Sequence, residues 1–340
     1  MSYLDIDEIR AFNIEHTNRC NLKCPQCARV LNGKVNPMLN MQDISLEYYK
    51  WLFPKSFCDQ LDFIFFCGNY GDPIASPTFF DCAKYLAKNG VRLSIYTNGS
   101  LRGIQYWTDL ALVLAGNGKV VFSIDGLSDT NSIYRVNSNF EKIIENATAF
   151  IKAGGIARWD YLVFEHNYHQ VEEARNMAKD LGFKSFNEKK TKRFINNSNY
   201  KSNKGKGQFG SIVERYGSWE NYIDQTQITC RYKQDKTLYI DFNMNVWPCC
   251  WVGAPLFFYG HDNIQKNQLL NLISNYEEGF NSLYYYSLEE ILNHKWFKYD
   301  LVNSWSKKMS EGKLMTCGRT CGTEYKFSGD DETNREETKL

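Results

Sequence analysis

Three cysteines near the N-terminus are spaced so that one short loop can bring their thiols to a single metal centre. Cys20, Cys24 and Cys27 lie in NRCNLKCPQC, a C-x3-C-x2-C pattern directly after the first predicted strand. A four-iron, four-sulfur cube held by three thiolates keeps one iron open, as a cluster that activates a substrate requires. A structural zinc site needs four ligands, and His16 is the side chain that could complete one. The spacing favours the cluster, and a zinc knuckle is the alternative.

The last third of the chain contains a second set of cysteines: Cys230, Cys249, Cys250, Cys317 and Cys321. The segment TCRYKQDKTLYIDFNMNVWPCCW (229–251) reads as one cysteine, a β-hairpin that turns at residues 243–245, and an adjacent cysteine pair. Asparagine suits that turn because it tolerates left-handed backbone geometry. The other cysteines stand singly among apolar residues and are predicted to be small core residues: Cys58, Cys67 and Cys82.

Short apolar runs alternate with helical patterns from about residue 11 to residue 187. The predicted strands are AFNIEHT (11–17), LDFIFFC (61–67), RLSIYT (92–97), KVVFSID (119–125) and WDYLVFE (159–165). The predicted helices lie in residues 45–53, 77–90, 106–118, 139–155 and 171–182. A strand followed by a helix, repeated five or six times, predicts an α/β barrel or a doubly wound sheet with parallel strands. Functional residues in such folds lie at the C-terminal ends of the strands.

Small and polar residues follow four of these strands. The segments are FFCGNYGDP (65–73), IYTNG (95–99), FSIDG (122–126) with Tyr134-Arg135 beyond it, and FEHN (164–167). Each segment alone could be an ordinary turn, because Gly, Asp, Asn and Pro favour turns. Their shared position at one rim of the predicted fold points to a binding site there.

Composition and charge restrict the class of protein. The 340 residues include 40 basic and 39 acidic side chains, a balance that argues against a nucleic-acid or membrane-surface partner. The N-terminus has no signal-peptide pattern, and no apolar run reaches membrane-spanning length. We therefore expect a cytoplasmic protein, in which eleven cysteines indicate metal binding or redox chemistry rather than disulfides.

The cysteine loop and the strand-end segments together resemble the radical SAM superfamily. The resemblance implies a partial (β/α)6 TIM-type barrel and a [4Fe–4S] cluster on Cys20, Cys24 and Cys27. Its open iron would chelate S-adenosylmethionine, and one electron would then break the S–C5′ bond to give a 5′-deoxyadenosyl radical that abstracts hydrogen from a substrate. A flavodoxin or ferredoxin is the implied reductant. Family members usually carry an aromatic residue where this chain has Gln26, so the adenine pocket is expected to differ.

The resemblance also assigns cofactor contacts to the strand ends. Gly71 and Asp72 of a Gly-Asp-Pro element would receive the ammonium of S-adenosylmethionine. Ser123 and Asp125 would approach its ribose or methionine part, and Arg135 its carboxylate, for which a guanidinium fork is suited. Further contacts are implied at Thr97, Asn98 and Asn167, although Asn167 could equally be a capping residue.

The second cysteine set resembles the C-terminal part of the SPASM/Twitch branch of that superfamily. There a cysteine, a glycine, a short strand and Pro-Cys follow one another, and here Asn245 replaces the glycine. The implied ligands of one auxiliary [4Fe–4S] cluster are Cys230, Cys249, Cys317 and Cys321. The Pro-Cys match favours Cys249 over Cys250, and a zinc site with the same four thiols is the alternative. Cys250 is a candidate hydrogen donor to a substrate radical.

These assignments define the expected domains and functions. We expect a barrel at residues 1–187, a basic linker or loop at 188–227, a small α+β auxiliary-cluster domain at 228–327 and a disordered tail at 328–340. The leading hypothesis is a radical SAM enzyme, of oxidoreductase type, that oxidises, epimerises or cross-links a peptide or protein. The alternatives are a dehydrogenase of a sugar- or cyclitol-like small molecule and a zinc-stabilised interaction protein without catalytic activity.

Overall fold

The computed structural model describes residues 2–190, 208–258, 263–324 and 335–340. Two compact units share these residues. The first contains 2–14, 208–258 and 263–324, and the second contains 15–190 and 335–340. No helix among the described residues is both long and apolar enough to cross a membrane.

Eleven strands are described, numbered in chain order: β1 Ala11–Ile14, β2 Val30–Leu31, β3 Lys34–Val35, β4 Phe63–Phe66, β5 Arg92–Thr97, β6 Lys119–Ser123, β7 Ile156–Val163, β8 Ser185–Lys190, β9 Thr237–Ile240, β10 Val246–Trp247 and β11 Arg335–Lys339. The five strands predicted from the sequence correspond to β1, β4, β5, β6 and β7. The short hairpin β2–β3 was not predicted, although its Asn-Gly turn at residues 32–33 is a strong hairpin signal.

The α-helices of the same residues are α1 Leu46–Leu52, α2 Lys55–Cys58, α3 Phe79–Lys88, α4 Ile104–Leu114, α5 Asn131–Tyr134, α6 Phe140–Lys152, α7 Val171–Leu181, α8 Gln208–Tyr216, α9 Trp219–Gln225, α10 Arg231–Gln234, α11 Cys250–Gly253, α12 Ile264–Ile273, α13 Leu288–Asn293, α14 Leu301–Ser304 and α15 Met315–Cys321. Short 3-10 turns occur at Ile6–Glu8, Pro73–Ala75, Tyr168–Gln170, Ala254–Phe257 and Met309–Glu311, and a π-helical turn at Trp296–Asp300. The five predicted helices correspond to α1, α3, α4, α6 and α7.

The second unit is built on a parallel sheet in the order β4-β5-β6-β7-β8, with β11 antiparallel at its edge. Helices α3, α4, α6 and α7 connect successive strands, as parallel pairing requires. The predicted α/β class is therefore confirmed, and along the chain six strands alternate with helices: β1, β4, β5, β6, β7 and β8.

One face of this sheet is apolar and packs against the helices. Phe122 of β6 lies 5.2 Å from Trp107 of α4 and 6.2 Å from Phe150 of α6, measured between ring centroids. Phe183, which follows α7, meets the same ring from 5.9 Å. Burying side chains of this size contributes about 1.5–3 kcal/mol each, which holds the helices against the sheet.

The first unit contains a small sheet in which β9 runs parallel to β1 and antiparallel to β10. The predicted hairpin turn is present at residues 243–245, but Met244 rather than an asparagine has the left-handed backbone, with φ at 63°. The buried carboxylate of Asp241 holds this turn, because its Oδ1 accepts hydrogen bonds from the backbone N–H groups of Asn243 and Asn245.

Two segments differ from the sequence expectation. Residues 208–225 of the expected linker form helices α8 and α9, where Tyr222 and Ile223 are buried against Met315 of α15. The expected disordered tail contains β11, because its backbone pairs with β8 although its side chains are polar. Residues 188–190 of the expected linker belong to β8, and residues 191–207 and 328–334 of the two segments lie outside the described residues.

A cap substitution tests the backbone of α4. Ala115 ends this helix exposed and in left-handed geometry, with φ 43° and ψ 39°. A Cβ atom costs about 1–2 kcal/mol there, so Ala115→Gly should raise the free energy of unfolding by about 0.5–1 kcal/mol in urea titrations. Ala153→Gly is the matched control, because Ala153 ends α6 with φ at −81° and should gain nothing. A lower midpoint for Ala115→Gly would contradict the assigned geometry.

Candidate functional site

The three N-terminal cysteines lie on one loop of the second unit. Cys24 is buried, Cys20 and Cys27 are partly exposed, and none of the three forms a disulfide. Around them pack the buried side chains of Leu22, Tyr134 and Phe164. Cys20 Sγ accepts N–H contacts from the Leu22 backbone at 3.4 Å and from Asn98 Nδ2 at 3.8 Å, the kind of bond that tunes iron–sulfur sites.

Burial favours the protonated form of two of these thiols, those of Cys20 and Cys24, when no metal is bound. It raises the pKa of Cys20 to about 12, with a further increase from the Asp72 carboxylate. It raises the pKa of Cys24 to about 11, although the positive charge of Arg135 acts in the opposite direction. A metal centre at this loop must therefore displace protons, as thiolate ligation generally does.

The predicted Gly-Asp-Pro turn lies against the backbone of the cysteine loop. The Asp72 N–H donates to the Arg19 carbonyl at 2.7 Å. A Cβ atom at Gly71 would come within 2.0 Å of the Thr17 carbonyl oxygen, so only glycine permits this approach. The turn and the loop are thus held together through backbone atoms.

The carboxylate of Asp72 is buried and accepts hydrogen bonds from its own unit. Its oxygens accept from the Ile74 N–H at 3.0 Å, the Thr97 hydroxyl at 2.9 and 3.0 Å, and the Asn98 N–H and side-chain amide at 2.7 and 2.6 Å. Burial raises the pKa of Asp72, and these hydrogen bonds oppose the increase. Asp72, Thr97 and Asn98, three predicted cofactor contacts, therefore form one network.

Asn98 extends that network to the cysteine loop. Its Nδ2 donates to Asn21 Oδ1 at 3.1 Å as well as approaching Cys20, and Asn21 donates in turn to the Ser100 hydroxyl at 3.0 Å. The end of β5 thereby positions the first cysteine. Asn21 and Ser100 were not among the residues predicted from the sequence.

Glu15 is another residue that the sequence reasoning missed. Its fully buried carboxylate accepts hydrogen bonds from the backbone N–H groups of Tyr70 and Gly71, the latter at 3.2 Å. The signal in the sequence was an acidic residue inside the apolar run AFNIEHT. A buried carboxylate needs such donors, because an uncompensated charge is costly to bury.

Asp125 and Arg135 form a buried ion pair beyond the end of β6. Arg135 Nε donates to Asp125 Oδ2 at 2.6 Å, and the Leu162 N–H donates to Oδ1 at 2.8 Å. Burial alone would lower the pKa of Arg135, but Asp125 raises it, so the guanidinium stays charged. Within the described part of the chain, Arg135 has no other side-chain hydrogen bond, which leaves its two Nη groups for an acceptor. Ser123, at the end of β6, is partly exposed.

Asn167 is fully buried and its amide is occupied by backbone groups. Nδ2 donates to the carbonyls of Asp125 and Leu162 at 2.9 and 2.8 Å, and Oδ1 accepts from the Phe164 N–H at 2.6 Å. This geometry is not helix capping, because the Asn167 side chain makes no hydrogen bond to the Tyr168–Gln170 turn that follows it. It fixes the loop after β7 against the end of β6. Gln26, at the position of the missing aromatic residue, is exposed.

His16 has both ring nitrogens in hydrogen bonds away from the cysteine loop. Nδ1 bonds to the Tyr49 hydroxyl at 2.9 Å, and Nε2 to the Ser76 and Thr78 hydroxyls at 3.0 and 3.2 Å. The zinc knuckle completed by His16 is therefore disfavoured, because its nitrogens already have partners. Across the described residues, no three His, Cys, Asp or Glu side chains are arranged around a single ion position.

The first unit brings the four predicted auxiliary ligands to one cavity. Its lining consists of Ile228, Cys230, Pro248, Cys249, Val252, Leu301, Trp305, Thr316, Cys317, Thr320 and Cys321. Cys250 does not line it. Four thiols and an apolar wall are a donor set that fits a closed iron–sulfur cluster. Burial raises the pKa of Cys249 above its usual value and that of Cys317 to about 12.

Tyr3 and Cys250 flank this cavity in the same unit. The buried Tyr3 hydroxyl donates to the Pro248 carbonyl at 3.0 Å and lies 3.6 Å from Cys230 Sγ. The Cys250 thiol lies 3.4 Å from the Tyr232 hydroxyl, which accepts a hydrogen bond from Asn13. Cys58 and Cys82 are buried as predicted for core residues, and Cys67 is partly exposed.

Comparison with known proteins identifies a relative and a fold. No protein-family model matches the chain. The chain is 30% identical over 185 residues to the tungsten-containing aldehyde ferredoxin oxidoreductase cofactor-modifying protein of Pyrococcus furiosus. This match covers 50% of the chain and 48% of that protein, so it extends over about half of each.

Solved structures of Streptococcus suis SuiB are similar to this chain over more than nine tenths of its length. One SuiB crystal structure has a TM-score of 0.55 at 13% identity, covering 91% of this chain and 72% of SuiB. SuiB bound to its precursor peptide SuiA also gives 0.55, at 15% identity and 91% and 70% coverage. SuiB bound to S-adenosylmethionine gives 0.51, at 15% identity and 95% and 77% coverage. The chain therefore has the fold of radical SAM enzymes, as the resemblance implied.

The burial of His16 should make stability depend on pH. Burial lowers the pKa of His16 to about 3 from an unfolded value near 6.5, so between these values the unfolded chain binds the additional proton. Stability should fall as pH decreases, by about 2 kcal/mol between pH 7.5 and pH 5. In urea titrations His16→Gln should flatten this dependence, and a His169→Gln control at an exposed site should not. An unchanged slope in His16→Gln would contradict the assignment.

The close approach at Gly71 gives a second prediction. Gly71→Ala places Cβ against the Thr17 carbonyl, so the backbone must shift and the cysteine loop with it. We expect a loss of about 1–3 kcal/mol in unfolding free energy and less iron bound after anaerobic reconstitution. Gly103→Ala is the control, because its Cβ would meet no atom within 4 Å and its φ is −128°. Equal iron content in the two variants would argue against a positioning role of Gly71.

Proposed function

We propose that this protein is a radical SAM enzyme that cleaves S-adenosylmethionine reductively and abstracts hydrogen from a peptide or protein substrate. The observation that carries the proposal is the network in the second unit that joins Cys20, Asn98 and Asp72. It links a three-thiol loop to the ends of parallel strands, where α/β folds bind their ligands. When bound at this loop, a [4Fe–4S] cluster supplies the electron that breaks the S–C5′ bond.

The strand-end residues would bind and orient the cofactor. Arg135 is held by Asp125 through Nε, so its Nη groups would remain to bind the carboxylate of S-adenosylmethionine in a bidentate pair. Ser123, a partly exposed residue, would contact a ribose or methionine group. Asp72 and Asn167 act as positioning residues, because their polar atoms already bond to neighbouring segments. Gly71 lets the turn approach the cysteine loop closely.

A second, auxiliary [4Fe–4S] cluster is proposed for the cavity of the first unit. Its thiolate ligands would be Cys230, Cys249, Cys317 and Cys321, with Cys249 preferred over Cys250 because only Cys249 lines the cavity. With four protein ligands this cluster has no open iron, so its role is electron transfer or structural support. We assign the barrel function to the second unit and the auxiliary function to the first unit. The sequence suggested residues 1–187 and 228–327 for these functions, and residues 2–14 instead belong to the first unit.

A peptide or protein is the preferred substrate. Support comes from SuiB, which has been solved with a precursor peptide and whose fold covers 91% of this chain. The name of the Pyrococcus relative, a cofactor-modifying protein, favours a small organic molecule as the second candidate. An isotope-transfer experiment decides between the two substrate classes. The enzyme is incubated with panels of deuterium-labelled peptides and small molecules, and 5′-deoxyadenosine is examined for deuterium taken from the substrate.

Cysteine substitutions should distinguish the roles of the two proposed clusters. Reconstituted protein should bind about eight irons and release 5′-deoxyadenosine when reduced with dithionite. Cys24→Ala should remove about four irons and reduce 5′-deoxyadenosine to background, because a ligand of the cleaving cluster is lost. Cys317→Ala should also remove about four irons yet retain 5′-deoxyadenosine formation.

The control for this comparison is Cys82→Ala, which alters a buried thiol of α3 and should change neither measurement. Stoichiometric zinc without iron would overturn the enzyme proposal in favour of a zinc-stabilised interaction protein. Equal loss of cleavage in Cys24→Ala and Cys317→Ala would count against separate roles for the two clusters.

A further inference from the structure

The sheet face opposite the helices carries a cluster of charged and polar side chains. Successive residues of a strand point to opposite faces. Trp159 of β7 packs against Phe183 on the helix side, so Arg158 and Asp160 point to the other face. The parallel register places Ser123 beside Asp160, and Asp160 beside Asn187. This charged cluster consists of Tyr96, Arg158, Asp160, Asn187 and Lys189.

Both cations of the charged cluster form ion pairs with the same carboxylate. Arg158 Nε lies 2.8 Å from Asp160 Oδ1, and Lys189 Nζ lies 2.6 Å from Asp160 Oδ2. Arg158 Nη2 also donates to the Tyr96 hydroxyl at 2.7 Å. Asp160 is 5% exposed, Arg158 9% and Lys189 15%, so the lysine is the cation nearest to solvent.

Asp160 is shared between the two cations. Arg158 already pairs with Asp160 through Nε and, at 3.2 Å, through Nη2, which leaves Lys189 as a second cation on one carboxylate. Lys189 has no other ion pair in the part of the chain that the structure describes. A largely buried lysine that shares its carboxylate with an arginine is stabilised when a further anion completes its surroundings.

A second observation also points to a ligand. Asn187 is 1% exposed, and its Nδ2 donates to Asp160 Oδ1 at 3.0 Å. Its Oδ1 is buried and has no hydrogen-bond partner among the described residues. Buried acceptors are almost always satisfied, so this oxygen calls for a donor that the described residues do not supply.

We infer that the charged cluster is a substrate subsite that binds the carboxylate of an acidic peptide residue. Lys189, supported by Arg158, binds the carboxylate, and Asn187 Oδ1 accepts an amide N–H of the same residue. Because Ser123 is the in-register neighbour of Asp160, the bound residue lies next to the proposed cofactor contacts. The inference rests on the proposed function only in assigning this face to the substrate.

The alternative is a network that only fills the inner face of the sheet. Such a network would stabilise the fold without preferring anions over neutral ligands. The two readings differ in binding, which can be measured on the full-length reconstituted protein without S-adenosylmethionine or reductant. The probe is N-acetylglutamate α-amide, and its uncharged isostere is N-acetylglutamine α-amide.

Ligand-observed NMR titrations at constant ionic strength test the subsite. We expect the glutamate compound to bind at least about 10-fold more tightly than the glutamine compound, because only a carboxylate pairs with the lysine. Lys189→Met should remove most of the preference for the glutamate compound, and Lys189→Arg, which keeps the positive charge, should retain the preference. Lys184→Met, an exposed lysine just before β8, is the matched control and should keep the preference. Thermal melting checks that each variant is folded.

Three results would overturn the inference. They are equal binding of the two compounds to the wild-type protein, an unchanged preference in folded Lys189→Met, and tighter binding of inorganic phosphate than of the glutamate compound. The last result would assign the charged cluster to a phosphorylated small molecule instead. The titration does not require turnover. If the wild-type protein binds the glutamate compound as expected but forms no 5′-deoxyadenosine, the proposed function is contradicted and the inferred subsite is not.

Discussion

The buried carboxylate of Asp72 is the interaction on which the candidate site depends. It joins the turn after β4 to the end of β5, and Asn98 carries the connection on to Cys20. A carboxylate in an apolar interior is costly unless several donors surround it, and these donors are spread over two segments. The requirement to satisfy one charge therefore fixes the relative positions of residues that are 78 apart in the sequence.

Acidic side chains also accept backbone hydrogen bonds near the ends of other strands. Glu15 accepts from the backbone of the glycine-rich turn, Asp125 from the backbone of β7 and from Arg135, and Asp241 from the hairpin that precedes Cys249. Glu15 and Asp241 satisfy backbone N–H groups of turns, and Asp125 satisfies an N–H group near the end of a strand. These hydrogen bonds fix the segments that follow the strands.

The apolar pattern predicted the elements of the second unit well, because helices and parallel strands there bury continuous hydrophobic faces. The apolar pattern did not predict local structure that depends on backbone pairing or on polar side chains. The polar β11 pairs with β8 through backbone hydrogen bonds, for which side chains give little signal. Met244, rather than the flanking asparagines, takes the left-handed position, because the Asp241 carboxylate sets the turn from both sides.

The sequence by itself determined which thiols belong together, because Cys20, Cys24 and Cys27 are close enough along the chain for one loop to gather them. It also determined the α/β class, through alternating apolar patterns. Only the tertiary structure decided the roles of distant residues. It placed His16 in a hydroxyl network, Cys249 rather than Cys250 on the cavity, and Lys189 beside Asp160. These outcomes follow from the direction in which each side chain points, and that direction depends on strand register and packing that no local pattern encodes.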